Sequence, residues 1–560
     1  MSKRREQKKS KLTDTTIFDF DEKIGKNFYY IIPVLVLIYF VYSLYSDGFY
    51  QDEEYAHYFN MLRFWDDHYS ILGNWPKPGY KILFVLPALL GYKFVTFVHT
   101  ILTAFSVLMV YLVGKELKIK NSSIVAIIFA FQPFILQFSF RLYAELMAGL
   151  LVLLTLFFYY RKNNILTALF STWTFAARQE FALVSIILGV LFLIPVYKKL
   201  FKKDDAEIQS KPFSYYLIHN ILPFFILGLS PVLINVFGYL NTGDPLYLLS
   251  DMETISNIGQ HQPKKGFFHF PEMLIFIIGP LTFALFLVGY FGFLRKMKAY
   301  KEYFANYGML FLMFTIYFVV QIITAWEYLY IGTNPGSLRY IIPVVPLAGL
   351  FAGIGLEYIM KEKDKPYVYI ILVAVVIITL AFLSYKTNKL VMTSEKEYFK
   401  FFIVSILFCS VLFLYELKMN PKIFLVLVVV LGVGFTIIDE KPLKLDPQRK
   451  TIQEAADWWK SSGYDQRVTL NNHAYFFFII NVHDQHNQPD KYPTLVLSNL
   501  QKVPVGSIVL WDSHYNNRPE YNLDVPINYF EYNPNFKLLK QFESSDRRFV
   551  IYAFEKVKDF

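Results

Sequence analysis

Three consecutive carboxylates, Asp52, Glu53 and Glu54, open the stretch DEEYAHYFNML just after the first long apolar run of the chain. Beside a membrane surface, a pair of neighbouring carboxylates suits general-base chemistry: one is held ionised to take a proton while the other orients or binds an acceptor. The competing reading is a helix start, with Asp52 as N-cap and Glu53 and Glu54 in the first turn beside the positive end of the dipole. The two readings rank the residues as Asp52 the base, Glu53 its partner or substitute, and Glu54 a solvent-facing helix charge. Tyr55 and His57, on the same turn, are further site candidates.

Cations for such a site are also present. In Asn74-Trp75-Pro76-Lys77-Pro78-Gly79-Tyr80, two prolines and a glycine fix the backbone around one lysine. Lys77 is a candidate phosphate contact, and a snorkelling lysine is its bland alternative. Arg141 (FSFRLYAELMAG), Arg178 (TFAARQEF) and Arg339 (NPGSLRYIIPVVP) lie at the ends of apolar runs. Guanidinium matches phosphate oxygens, so together with Lys77 they could bind a phosphate or pyrophosphate headgroup. Glu145 stands four residues after Arg141, and a structural Arg141–Glu145 pair is the plain alternative there. Tyr80, Tyr143 and Asp244 of NTGDPLY complete the candidates. His483, His486, His473 and His514 could be imagined as a metal site, but scattered histidines read as surface residues, so no metal is assigned.

The elements that must position these residues are set by composition. Of 560 residues 55% are hydrophobic and only 18% charged, against roughly a quarter charged in soluble domains. About thirteen apolar runs, each long enough to cross a roughly 30 Å hydrocarbon layer, lie near 29–45, 94–113, 122–139, 142–160, 165–178, 181–197, 216–240, 273–294, 308–326, 340–359, 367–385, 400–416 and 422–438. The fold class is therefore an all-α polytopic membrane protein with a small C-terminal α/β domain. Residues 1–28 form a basic cytoplasmic N-terminus, 29–440 the multi-span domain with a first extracytoplasmic loop at 46–93, and 445–560 an extracytoplasmic soluble domain. Net charge is +10, yet Lys and Arg gather in alternate loops. That marks the cytoplasmic side of a cell (inner or plasma) membrane rather than a nucleic-acid partner. Within the first loop KILFVLPALLG is too short to span and reads as an interfacial helix. In the tail, TIQEAADWWKSSG reads as a helix, and RVTL, SIVLW and RFVIYAF as strands. The single cysteine, Cys409, allows neither a disulfide framework nor a cysteine zinc site.

DEEYAHYFNML followed by GNWPKPGY resembles the first loop of the glycosyltransferase C superfold, in its bacterial protein O-mannosyltransferase and aminoarabinose transferase branch. NTGDPLY is similar to that superfold's Gly-Asp-Pro loop, and LRYIIPVVP to its Arg-Tyr-x-x-Pro-x-x-Pro entry to a later span. The resemblance implies a hexosyl- or pentosyltransferase that takes its sugar from a polyprenyl-monophosphate donor. The acceptor is a hydroxyl of a lipid, glycan or protein on the outer side, and attack proceeds with inversion. It implies Asp52 as general base and Lys77 as donor-phosphate ligand. Pro76-Lys77-Pro78-Gly79 departs from the branch's usual lysine motif. No cofactor is required, although an Asp-Glu pair can ligate a divalent cation. The rival class is a transporter or flippase of an anionic isoprenoid lipid, using the same cations as a headgroup site.

Overall fold

A computed structural model describes residues 19–559, apart from 74, 76, 202–209, 260–264, 298–300, 327–333, 362–369, 377, 379–394 and 519–522. Two compact units emerge. The first comprises 1–40, 73–80 and 97–441, and the second 41–72, 81–96 and 442–560.

The first unit is helical. Across the chain, six described helices are long and apolar enough to cross a membrane: Asn27–Leu44, Tyr92–Glu116, Gln179–Phe201, Tyr303–Ala325, Leu338–Lys361 and Pro421–Asp439. A seventh span results if Phe213–Leu227 and Leu229–Thr242, bent by 42° at Gly228, count as one. This is a multi-pass membrane protein, and among the described residues six or seven full-length spans stand against the thirteen apolar runs. The reason is local. The run at 122–139 is split into Ser122–Ala130 and Pro133–Phe138, because Pro133 cannot donate back into a preceding turn. That at 273–294 breaks at Gly279 (φ +80°) before Pro280. The run at 367–385 lies largely outside the described residues, as does the basic N-terminus.

In the second unit the tail folds as α/β. The helix Pro447–Ser461 starts at Asp446, whose side chain accepts from the Arg449 amide, and has proline in its first turn. Six strands follow: β1 (Thr469–Leu470), β2 (Ile508–Asp512), β3 (Asn517–Arg518), β4 (Leu523–Asp524), β5 (Phe536–Glu543) and β6 (Val550–Lys556). They form a four-stranded sheet in the order β1-β2-β6-β5 and a small β3-β4 ladder. β1 and β2 run parallel and the remaining pairs antiparallel. The core beneath the sheet holds Leu470, Val509, Trp511, Phe530 and Phe554, all nearly inaccessible, and Trp511 Nε1 donates to the Val525 carbonyl at 2.6 Å.

First-loop residues belong to this unit too. The helix Glu53–Arg63 buries Tyr55, His57, Tyr58, Phe59 and Met61. The segment before it is strapped to the tail. Gly48 N–H donates to the Leu443 carbonyl at 2.9 Å, Ser46 Oγ donates to the same oxygen, and Lys444 Nζ donates to the Tyr45 carbonyl. At Gly48 a Cβ would stand 2.6 Å from the Lys444 carbonyl carbon, so only glycine permits this approach. KILFVLPALLG corrects the expected interfacial helix. It gives only the last residue of one short turn, Pro78–Lys81, and a second, Val85–Ala88, which Pro87, having no amide, cannot extend back toward the first.

Candidate functional site

Two charge clusters contain most of the candidate residues, one in each unit. In the second unit the centre is Asp52. It occupies the N-cap position of the Glu53–Arg63 helix, with Glu53 and Glu54 in the first turn as the helix-start reading expects, but its side chain makes none of the capping hydrogen bonds. Its carboxylate instead meets groups from far along the chain. Oδ1 accepts from Arg449 Nη2 at 2.5 Å and Oδ2 from the Tyr515 hydroxyl at 2.9 Å. Arg449 is itself held by the Asp446 carboxylate and by the Phe49 ring, 5.7 Å from the guanidinium carbon. Phe49 packs in turn among Tyr55, Tyr475 and Phe478. Burial works against ionisation of Asp52, but His473, Arg449 and the hydroxyls of Tyr55 and Tyr515 outweigh it and bring its carboxyl down to about 2. Because burial also pushes the His473 imidazole down to about 3, that ring is neutral near pH 7 and Arg449 supplies the compensating charge.

His473 and His514 are not surface residues. His473 is 1% exposed, and ligand atoms of Asp52, His473 and His514 lie within 4.8 Å of one another. His473 Nδ1 accepts from the Tyr475 amide at 3.2 Å, so its neutral ring carries the proton on Nε2. His514 Nε2 faces the Arg518 guanidinium, which can only donate, so its proton sits on Nδ1. Both protonated nitrogens point at the Gln448 amide, 3.0 and 2.7 Å away, and the amide oxygen is the atom that satisfies both. In this arrangement the Gln448 amide stands between the two facing ring nitrogens, and guanidiniums meet Asp52 and His514.

Glu53 is half-buried. Glu54 corrects the expectation of a solvent-facing charge: it is 0% exposed and accepts from the Tyr50 amide at 2.6 Å. His57 is fully buried on the same helix, as is Lys81, a residue that the sequence reading passed over.

The first unit holds the cations. Glu145, in the first turn of the helix Ala144–Tyr160, is 0% exposed. Its Oε1 lies 2.8 Å from Arg178 Nη1 and 3.6 Å from Arg339 Nε. Arg178 follows the helix Asn164–Ala177 as its C-cap, and its Nη2 reaches Glu180 at 2.6 Å. Arg339 sits in the 3-10 turn Leu338–Val344, a proline-bearing entry to the next helix. Tyr143 and Tyr340 wall the cluster: the Arg339 guanidinium lies 4.6 Å from the Tyr143 ring and that of Arg178 4.7 Å from Tyr340. Glu145 thus serves Arg178 and Arg339 rather than only its sequence neighbour Arg141, which donates from Nε to the Gln137 carbonyl.

Lys77 belongs to the same surroundings and acts electrostatically on Glu145. It adopts a left-handed backbone (φ +58°) unusual for a lysine. Its turn is docked on the helix that ends at Arg178: Trp173 Nε1 donates to the Gly79 carbonyl at 2.7 Å. A Cβ at Gly79 would stand 2.6 Å from the Ala177 nitrogen. Tyr80 is buried with its ring 6.2 Å from His99. Asp244 serves its own turn, accepting from the Leu246 amide at 2.8 Å.

In the same unit, an apolar cleft of about 620 Å³ runs between the helix Ala182–Phe201 and the bent pair at Gly228; Phe175, Ala182, Gly189, Phe224 and Phe225 line it.

Sequence reasoning missed Arg449, Asp446 and Gln448, and read Tyr515 and Arg518 only as part of WDSHYNNR, a stretch that could stack on sugar or simply end a strand. The only signal was Asp446-Pro447, a helix-start pair that places Arg449 at the head of a helix.

No family model matches the chain, and no curated protein is similar to it in sequence. Solved structures are. The crystal structure of ArnT from Cupriavidus metallidurans bound to undecaprenyl phosphate is 12% identical, with a TM-score of 0.55 over 94% of this chain and 98% of that one. The same protein in the apo state is 13% identical, also at a TM-score of 0.55, over 94% and 97%. At these identities it is the architecture that is shared, and the chain has the fold of ArnT.

Proposed function

We propose that this protein is an integral-membrane glycosyltransferase that moves a sugar from a polyprenyl-monophosphate donor to an acceptor hydroxyl on the extracytoplasmic side. The observation that carries the reading is the pairing, within one unit, of a buried cation cluster with an apolar cleft. Arg178 and Arg339 share Glu145 with Lys77 close by, and Ala182, four residues after Arg178 in the sequence, is among the residues that line the cleft. A lipid phosphate asks for both features at once: cations for its head and an apolar groove for its chain. The neighbouring fold was crystallised with undecaprenyl phosphate.

In this mechanism the cations hold the donor phosphate and stabilise the charge that gathers on it as it leaves. Asp52 takes the proton of the acceptor hydroxyl. The freed oxygen attacks the anomeric carbon, the bond from that carbon to the phosphate oxygen breaks, and the sugar is transferred with inversion while polyprenyl phosphate departs. Glu53 is the alternative base on the same turn. Tyr55, buried beside Asp52, helps to orient it. No step requires a divalent cation.

Mass spectrometry of lipids and of lipid-, glycan- and protein-linked sugars from cells with and without the gene tests this. Loss of one glycosylated acceptor, with accumulation of its polyprenyl-phosphate sugar, is expected. An unchanged glycan inventory with an altered distribution of isoprenoid lipid between the leaflets would instead establish a flippase.

A further inference from the structure

We infer that the C-terminal module is part of the catalytic apparatus, with Arg449 a positioning residue that fixes the orientation of the Asp52 carboxylate and Tyr515 its second anchor. The inference rests on the reading of Asp52 as base.

An aspartate at a helix N-cap normally spends its carboxylate on the amides of its own first turn, a bond that stabilises by about 1 kcal/mol. Asp52 gives that up. Its two oxygens go to groups 397 and 463 residues away along the chain. If the module merely docked on the first loop, the strap made by Gly48, Ser46 and Lys444 would suffice, and Asp52 would remain free to cap.

The two anchors are themselves fixed. The Arg449 side chain is 8% exposed and is gripped by Asp446 and by the Phe49 ring. Tyr515 stands on a turn closed by the buried Asp512 carboxylate, which accepts from the His514 amide at 2.9 Å and the Tyr515 amide at 2.7 Å. Two rigid donors on opposite oxygens leave the carboxylate one rotational setting, with the unused lone pairs directed to the acceptor hydroxyl. The charged and titratable groups around Asp52 are Arg449 and Asp446 from the head of the Pro447–Ser461 helix and His473 from the end of β1. Asp512 ends β2, His514 and Tyr515 lie in the turn after it, Arg518 ends β3, and Glu53 and Tyr55 come from its own helix. Arg449 is the cation that contacts the carboxylate directly.

The test is the pH dependence of kcat/KM for transfer, from pH 3 to 9, on the full-length detergent-solubilised protein. Wild type, Arg449→Gln, Arg449→Lys, Tyr515→Phe and Asp52→Asn are compared. Wild type is expected to show no acid limb in this range. In Arg449→Gln an acid limb should enter it, since losing an adjacent guanidinium moves a carboxyl by about 1–3 pH units. Arg449→Lys should restore most of the wild-type profile, and Tyr515→Phe should move the limb by less in the same direction. If Arg449→Gln fails to fold, Tyr515→Phe and Arg449→Lys carry the test, through limbs of graded position. A loss by one constant factor at every pH, or an unchanged profile, overturns the inference. If Asp52→Asn is dead while the other profiles are unchanged, only the inference fails; if Asp52→Asn keeps wild-type turnover, the base assignment fails with it.

Discussion

Glu145→Gln probes the buried charge cluster most sharply. Glu145 is fully buried, and two guanidiniums, each with a side chain 2% exposed, approach one of its oxygens at 2.8 and 3.6 Å. Glutamine preserves shape and one acceptor oxygen but removes the negative charge that both arginines share. Breaking a buried pair by removing one partner costs about 3–5 kcal/mol, and an isosteric change belongs at the lower end, near ~3 kcal/mol. The assay is thermal unfolding in detergent with and without undecaprenyl phosphate. Without lipid the variant should unfold several degrees below wild type. A ligand at a hundredfold excess over its Kd stabilises by about 2.7 kcal/mol. A lipid phosphate would also replace the missing charge, so the gain on adding lipid should be larger in the variant than in wild type. A wild-type unfolding temperature, or a smaller lipid gain in the variant, refutes both the shared-carboxylate account and the placement of the phosphate.

Lys77→Ala removes one charged contact to phosphate, an interaction worth about 1.5–3 kcal/mol; KM for the donor should rise roughly ten- to a hundredfold, and an unchanged donor dependence contradicts the assignment. Gly48→Ala forces a methyl group against the Leu443–Lys444 backbone. It should destabilise the second unit by about 1–3 kcal/mol, seen as faster proteolysis near residue 443, whereas wild-type resistance would show that the strap is dispensable. Stability of that unit should vary with pH through two opposing groups. His473 is pushed by burial from 6.5 to about 3, so the unfolded chain takes the proton first, and its contribution is complete above 6.5 and lost as pH falls toward 3. Asp512 is raised by burial from 3.8 to about 6, so its contribution is complete below 3.8 and lost as pH rises toward 6. Between about pH 4 and 6 the two trends offset. Asp512→Asn should therefore unmask an acid destabilisation of about 1.4 kcal/mol per pH unit, measured by urea unfolding at pH 4 to 6.5; equal slopes in both proteins would contradict it.

The apolar runs made a polytopic helical architecture legible, because hydropathy measures the one property that a bilayer selects. Breaks within those runs were less visible: Gly279-Pro280 and Phe131-Gln132-Pro133 end helices inside continuous apolar sequence. β5 escaped because it is an edge strand with a register shift at Leu538/Lys540 and mostly exposed residues, so that no alternation shows. Asp52 and Lys77 stood out through unusual neighbours in short stretches. Arg449 and Tyr515 did not, because what distinguishes them is a contact across about four hundred residues, and a lone arginine in an amphipathic helix looks like any surface cation. His473 misled for the same reason: a histidine reads as surface until the fold buries it against Gln448. Glu54 looked like a helix-start charge and is instead spent on the Tyr50 amide.

The most direct measurement is transfer by purified protein from an undecaprenyl-phosphate sugar to extracted cell-envelope acceptor, following undecaprenyl phosphate release by wild type and by Asp52→Asn. The account predicts stoichiometric release of undecaprenyl phosphate by wild type, and turnover reduced to background in an Asp52→Asn protein that still folds and still binds the donor. Wild-type turnover by Asp52→Asn, or donor binding by wild type without release in the presence of every acceptor fraction, would contradict it.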